Sequence, residues 1–307
     1  MEYLMNILQL TISGLMVGGI YGLTSIGLTL VWGVAGVVNF AHGEFLMVAM
    51  YLSYLFFHYM GLDPLASIFL VAPILFMLGA SSQRIVIQPI LKAPHYNQAF
   101  ATVGLSLFLQ NLALIIWAGN FRSVKVSYAT SVLPIGPIIL SIPKVIGFLV
   151  ASFITGLLYW FLRATYLGKA IRATAQDTYG AALAGIDVKR IYILSFGIGA
   201  ACAGIAGALI IPTYYVFPTV GQYFVLIAFV VVVLGGMASL TSAFLGGLLI
   251  GVVESMSGFF LGSAYKELVY FLLFIFVLWL KPTGILFSSA KSSWGSSSGG
   301  NSHKIIE

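Results

Sequence analysis

In this 307-residue chain 60% of residues are hydrophobic and 7% are charged, and the mean hydropathy is +1.06. A soluble domain carries about 25% charged residues, so the composition excludes a water-facing enzyme or binding domain and defines a polytopic membrane protein. The formal net charge of +6 does not point to nucleic acid, because the cations lie between apolar runs, where they set orientation.

Measured against the roughly 20 apolar residues that a helix needs to span, the sequence predicts nine membrane segments in an all-α bundle. They run from about Ile7 to Trp32, Phe45 to Met60, Pro64 to Arg84, Gln98 to Ala118, Val145 to Leu162, Ile191 to Ile211, Tyr223 to Met237, Ser242 to Met256 and Leu268 to Leu280. The seventh and eighth are short and joined by Gly235-Gly236-Met237-Ala238-Ser239. Read as one broken helix, they lower the count to eight within an expected range of eight to ten. Met1 to Asn6 contains no Lys or Arg, so no cleavable signal peptide is expected.

The first span carries Gly14, Gly18 and Gly22 on one face. The sixth carries Gly199, Ala203 and Gly207 beside Ala200, Gly204 and Ala208, and the eighth carries Ala243, Gly247, Gly251 and Ser255. Such faces let helix backbones approach closely in lipid, so a tightly packed helical body is expected. Cys202, the single cysteine, falls within an apolar run and reads as a small packing residue that cannot form an intrachain disulfide.

Polar groups at membrane depth are more informative. Asn39-Phe40-Ala41-His42-Gly43-Glu44 follows Gly33 and Gly36 where the first span meets the second. Burying Asn39, His42 and Glu44 near hydrocarbon is costly unless they face a cavity or one another. One reading is a broken-helix element that lines a translocation path or forms a hinge, with Gly235 and Gly236 as further candidates. The other is an ordinary turn in which Glu44 favours the N-terminal end of the second helix. Glu254, near the end of the eighth span, is expected to pair with Lys266 or sit at the interface, and His58 reads as an interfacial side chain.

The stretch from Arg163 to Arg190 breaks the apolar pattern and holds Arg163, Lys169, Arg172, Lys189 and Arg190, five of the fourteen Lys and Arg. Within it, Asp177 to Ala184 predicts a short helix, capped by Asp177 and ended by Gly185 in a left-handed turn. Placing this stretch in the cytoplasm puts Arg84, Lys92, Arg163, Lys169, Arg172, Lys189, Arg190, Lys281, Lys291 and Lys304 inside and leaves Arg122, Lys125, Lys144 and Lys266 outside. That is ten against four, which sets the N-terminus outside and the C-terminus in the cytoplasm. The longest external loop, Gly119 to Lys144, is either a connector or the seat of a soluble partner. The residues from 288 to 307 read as a flexible, Ser/Gly-rich cytoplasmic tail.

A search for catalysis returns little. Leu167-Gly168-Lys169-Ala170 lacks the earlier glycine and the final hydroxyl of a phosphate-binding loop. There is no H-E-x-x-H and no Cys/His metal spacing. Asp63, Asp177 and Asp187 all fall in predicted loops, which leaves no paired-Asp arrangement within a span.

Several of these segments together resemble one family, the permease subunits of branched-chain amino-acid ABC importers of the LivH type. The resemblance covers nearly all of residues 1 to 287. It is carried by Gly27-Leu28-Thr29-Leu30-Val31-Trp32-Gly33-Val34, Asn39-Phe40-Ala41-His42-Gly43-Glu44-Phe45 and Gly104-Leu105-Ser106-Leu107-Phe108-Leu109-Gln110-Asn111. It continues in Arg172-Ala173-Thr174-Ala175-Gln176-Asp177, Gly185-Ile186-Asp187, Leu234-Gly235-Gly236-Met237-Ala238-Ser239 and Lys281-Pro282-Thr283-Gly284.

The resemblance implies a non-catalytic subunit in a bacterial or archaeal cytoplasmic membrane, with a fold similar to the vitamin B12 permease type and an inverted internal repeat. The implied partners are a second, related permease, two cytoplasmic ATPases that bind the ATP and Mg²⁺, and an extracytoplasmic solute-binding protein. Arg172, Asp177, Ala181, Ala182, Gly185 and Asp187 then become the ATPase-coupling residues. The same motifs allow a permease for urea, short amides or other amino acids. A stand-alone channel or secondary transporter is the remaining class.

Overall fold

The computed structural model describes residues 2–236 and 239–280. The predicted tail, the Lys281–Gly284 motif and Met237-Ala238 lie outside the described residues. In chain order the elements are α1 (Glu2–Ala35), α2 (His42–Met60), α3 (Pro64–Ser82), α4 (His95–Trp117), β1 (Val132–Ile135), β2 (Ile138–Ser141), α5 (Ile142–Ala164), α6 (Tyr166–Gln176), α7 (Thr178–Leu183), α8 (Val188–Ile210), α9 (Val220–Gly235), α10 (Leu240–Phe260) and α11 (Lys266–Leu280).

Seven of these helices are long and apolar enough to cross a membrane among the described residues, so the chain is an all-α polytopic membrane protein in its body. Neither α2 nor α9 is among the seven. Polar residues at both ends, His42, Glu44 and His58, lower the hydropathy of α2, and α9 is only 16 residues long. Both are buried in the bundle instead. On α9 most residues from Val220 to Gly235 are enclosed, as expected for a helix that is apolar all round. Of the two readings of the seventh and eighth segments, the single broken helix is not formed. Gly235 packs on Ser242 and Gly246 on Val231, so α9 and α10 are two helices folded back on each other.

The predicted small faces make the closest helix contacts. Gly14 and Gly18 of α1 lie against the backbone of Gly251 and Gly247 on α10. On α8 the two stripes serve different partners: Gly199 and Gly207 meet Gly27 of α1 and Leu46 of α2, while Ala200 and Gly204 meet Gly79 and Leu75 of α3. Cys202 is buried between them. Dispersion between closely spaced backbones holds such a bundle together in lipid, where no hydrophobic drive exists between helices.

The pairings also repeat. α1 packs on α10 as α8 packs on α3, α2 packs on α8 as α9 packs on α1, and α2 packs on α3 as α9 packs on α10. Exchanging α1, α2 and α3 for α8, α9 and α10 therefore maps each contact onto another. α5 starts directly after the β1–β2 hairpin and ends at α6, so the hairpin and the α6–α7 segment mark opposite ends of the body. α1 starts at the hairpin end, where Gln9 reaches Ile139 and Lys144 reaches Ser13, and α8 starts at the α6–α7 end. The two sets are thus inverted with respect to one another.

The 119–141 segment folds over the hairpin end. Arg122 pairs its backbone with Val216 and donates to the Tyr54 hydroxyl at 3.1 Å. The Tyr128 hydroxyl donates to Asp63 at 2.8 Å. Burial, with the neighbouring Asp63 carboxylate, raises the pKa of that hydroxyl above its ordinary value and keeps it a donor. Glu254 does meet Lys266, at 3.8 Å, and also accepts from the Tyr223 hydroxyl at 3.1 Å.

Candidate functional site

Two groups of residues stand out, one buried and one exposed. The buried group begins where α1 ends. Residues 36–41 turn back along α1, because the His42 ring at the start of α2 lies 2.9 Å from the carbonyl of Thr24, eleven residues before the end of α1. At 1.5 Å per residue, α2 therefore begins about 16 Å inside the end of α1. Gly36, at φ +67, makes the reversal possible. Asn39 steers the entry: its Oδ1 accepts from the Ala41 amide at 3.1 Å, the Asx geometry that starts a turn. Thr102 of α4 fastens the return, donating to the Val38 carbonyl and accepting from the Phe40 amide.

α2 and α9 then meet start to start. Gly43 and Gly221, each second in its helix, are in backbone contact, and a Cβ on Gly43 would overlap the Gly221 carbonyl. Each glycine is followed by a polar residue, Glu44 on α2 and Gln222 on α9. Two helix starts bring two positive dipole ends together, and the Glu44 carboxylate lies between them. Its Oε1 accepts from Gln110 Nε2 at 2.7 Å and from Ser106 Oγ at 3.2 Å, and its Oε2 lies against Gly221 with no hydrogen-bond partner. Gln110 Oε1 in turn accepts from Gln222 Nε2 at 3.2 Å.

Asn39, His42 and Glu44 are each fully enclosed. They form a joint between α1, α2, α4 and α9. Gly235 and Gly236 lie apart from this joint, at the far end of α9, where Gly235 packs on α10 and Gly236 turns the chain at φ +89. The residues not anticipated from sequence are Thr24, Ser106, Gln110 and Gln222. A signal existed in Ser106 and Gln110, two polar side chains one helical turn apart within an apolar run.

The exposed group is the α6–α7 segment. The predicted short helix forms as α7, and Asp177 caps it by accepting from the Tyr179 amide at 2.9 Å. It ends in a Schellman turn: Gly185, at φ +82, donates its amide to Ala182, and Ile186 donates to Ala181. α6 was not anticipated. It is an amphipathic helix that buries Gly168, Ala170, Ile171 and Thr174 and is capped by Thr165. Arg172 on it donates to the Leu162 carbonyl at 3.0 Å, tying α6 to the end of α5. Asp187 caps α8 through the Arg190 amide at 3.2 Å.

The two neighbouring alanines face opposite ways, Ala181 into the body and Ala182 outward. Beside Ala182, Tyr179 and Leu183 are 74% and 73% exposed. Aromatic and aliphatic side chains on a short, doubly capped helix make a rigid apolar tip among the basic residues Lys169, Lys189 and Arg190.

The joint and the tip belong to a polytopic helical membrane body, and comparison with known proteins makes it a membrane transport component. The chain belongs to the family described as branched-chain amino acid transport system / permease component, whose profile matches residues 10–278. It is 33% identical over 299 residues to the high-affinity branched-chain amino acid transport system permease protein BraD of Pseudomonas aeruginosa, covering 93% of this chain and 97% of that protein. It is 33% identical over 310 residues to the permease protein LivH of Escherichia coli, with the same coverage. The probable LivH permease of Methanocaldococcus jannaschii is 28% identical over 283 residues, 86% of this chain and 87% of that protein. No solved structure matches the chain.

Proposed function

We propose that this chain is the membrane-embedded subunit of an ATP-driven importer that carries leucine, isoleucine and valine across a bacterial or archaeal cytoplasmic membrane. The observation that carries the reading is the α7 tip: a short helix, locked at both ends, presenting Tyr179, Ala182 and Leu183 with none of the other described residues over them. In this reading two cytoplasmic ATPases bind ATP and Mg²⁺, grip the tip from outside the membrane and move it as a rigid handle. Asp177, Gly185 and Asp187 hold its shape, Ala181 seats it on the body and Arg172 ties it to α5. The chain itself performs no catalysis. The substrate class follows from the relatives, whose names give branched-chain amino acid transport.

The remaining assignments belong to the same reading. Counting α2 and α9 with the seven longer helices gives nine crossings, with residues 1–287 as the permease body and 288–307 as its tail. The inverted pairing of α1–α3 with α8–α10 supports an arrangement similar to the vitamin B12 permease type. The tip faces the cytoplasm, the N-terminus lies outside and the C-terminus inside. Arg84, Lys92, Arg163, Lys169, Arg172, Lys189 and Arg190 cluster at the tip's end, against Arg122, Lys125, Lys144 and Lys266 at the hairpin end, which supports that orientation. A second, homologous permease completes the membrane part, and a solute-binding protein delivers substrate at the hairpin end.

The test is Ala182→Arg in the reconstituted transporter. The variant is expected to stay folded in the membrane and to lose both copurification with the ATPases and ATP-driven leucine uptake. Intact assembly and uptake would exclude the tip as the coupling element. Uptake at full rate without ATPases would show a gradient-driven carrier, and uptake of urea in place of leucine would correct the substrate.

A further inference from the structure

The chain of hydrogen bonds from Glu44 to Gln222 has a direction. Glu44 Oε1 accepts, so Gln110 must turn its amide nitrogen toward it, and the 2.7 Å contact is made by Nε2. That fixes Gln110 Oε1 on the other side, where it accepts from Gln222 Nε2. Gln222 is thereby left with its carbonyl oxygen and one Nε2 hydrogen free, and among the described residues nothing donates to that oxygen. Hydrogen bonds in series polarise one another at low dielectric, so the carboxylate buried at the joint makes this outer oxygen a stronger acceptor.

Gln222 is exposed on the surface of the bundle, although Gly221 before it and Phe224 two residues on are buried. Below it on the same stripe of α9 lie Leu226, 41% exposed, and Phe229, whose ring is 5.2 Å from that of the partly exposed Phe40. An amide facing hydrocarbon is costly, whereas an oxygen with an apolar stripe one turn below it is complementary to a molecule with an amine at one end and an aliphatic group at the other.

We propose that Gln222 Oε1 is a subsite for the α-ammonium group of the transported amino acid, that Leu226 and the Phe40–Phe229 pair receive its side chain, and that Glu44 is the positioning residue that fixes the polarity of the subsite through Gln110. The proposal rests on the amino-acid permease reading above. The subsite favours the amine over the carboxylate, because the buried carboxylate strengthens the free oxygen as an acceptor and weakens the second Nε2 hydrogen of Gln222 as a donor.

The experiment is ligand protection of Leu226→Cys, in a Cys202→Ala background, from maleimide labelling in the assembled transporter. The probes are L-leucine, isopentylamine, which keeps only the amine, and 4-methylpentanoate, which keeps only the acid. At equal concentrations, leucine and isopentylamine are expected to protect with a Kd about fivefold lower than 4-methylpentanoate, the worth of one hydrogen bond. Gln222→Met, close in shape, is expected to abolish protection by the amine. Glu44→Gln is expected to make the amine and the acid protect alike, because the neutral amide no longer dictates which way Gln110 turns; a purely structural Glu44 would not change this preference. Protection by the acid equal to that by the amine in the Gln222 protein, or protection by the amine surviving Gln222→Met, overturns the subsite. ATP-driven leucine uptake by the unsubstituted transporter separates the two levels: uptake without amine preference removes the subsite alone, and absence of uptake removes the permease reading with it.

Discussion

The joint at Gly43–Gly221 and the tip at α7 solve opposite problems. The joint brings two helix starts, a carboxylate, an imidazole and two amides into the interior, and no local rule makes that stable. It holds because α4 supplies Ser106, Gln110 and Thr102 from the side, and because two glycines let backbones touch. The tip stands outside the body and is stable through its own sequence, with an aspartate at its start and a left-handed glycine at its end. A region held by tertiary fit fails all at once when one atom is added. A region held by its own caps loses order locally and leaves the rest intact.

The most severe way to break the contrast is at the joint. Gly43→Ala places a methyl group on the Gly221 carbonyl, a backbone atom that cannot rotate away. Overpacking of this kind costs about 3 kcal/mol, and the expected result is a marked loss of folded yield and a lower unfolding temperature for the solubilised protein. Gly221→Ala also meets backbone, the Gly43 carbonyl carbon at 2.8 Å, and in addition displaces the end of the Glu44 side chain, so a loss of similar size is expected. Full folded yield from either substitution would show that the joint is not set by backbone contact.

At the tip, the expected losses are smaller and local. Asp177→Ala removes the cap of α7, and Gly185→Ala strains a φ of +82; each costs about 1 kcal/mol. Amide exchange over residues 178–186 should speed up severalfold while the unfolding temperature of the whole protein stays where it was. A shift in the global transition would mean that the tip and the body unfold as one unit.

The same distinction governs what the sequence reveals. The tip was legible nearly residue by residue, because Asp177, Gly185 and the helix between them obey short-range capping rules. The long helices were legible from hydropathy, with ends displaced by a few residues where a capping residue such as Asp187 starts the helix earlier than the apolar run does. The glycine faces of α1 and α8 announced close packing without naming the partner. The joint could not be read, since Asn39, His42 and Glu44 fit a path and a turn equally well until Ser106 and Gln110, more than sixty residues away, are brought beside them. Amphipathic α6 was missed because its buried face is built from Gly168, Ala170 and Thr174 as well as Ile171, side chains too small or polar to mark a stripe.

The smallest effect sharpens the account of the tip's far end. Asp187 has two contacts there: it caps α8 through the Arg190 amide, and it pairs with the Arg190 guanidinium at 2.9 Å. The ion pair is exposed, with side-chain exposures of 82% for Arg190 and 51% for Asp187, and such pairs contribute only a few tenths of a kcal/mol once water screens them. The cap satisfies an amide that α8 would otherwise leave unpaired, which is worth about 1 kcal/mol. Arg190→Met should therefore leave exchange at the first amides of α8 almost unchanged, while Asp187→Ala speeds it severalfold. Because the methionine keeps the backbone amide and removes only the charge, a large effect of Arg190→Met would transfer the hold on this end from the cap to the ion pair. In that case added salt should loosen the start of α8 in the unsubstituted protein and leave α7, which is capped by Asp177 without such a pair, as it was.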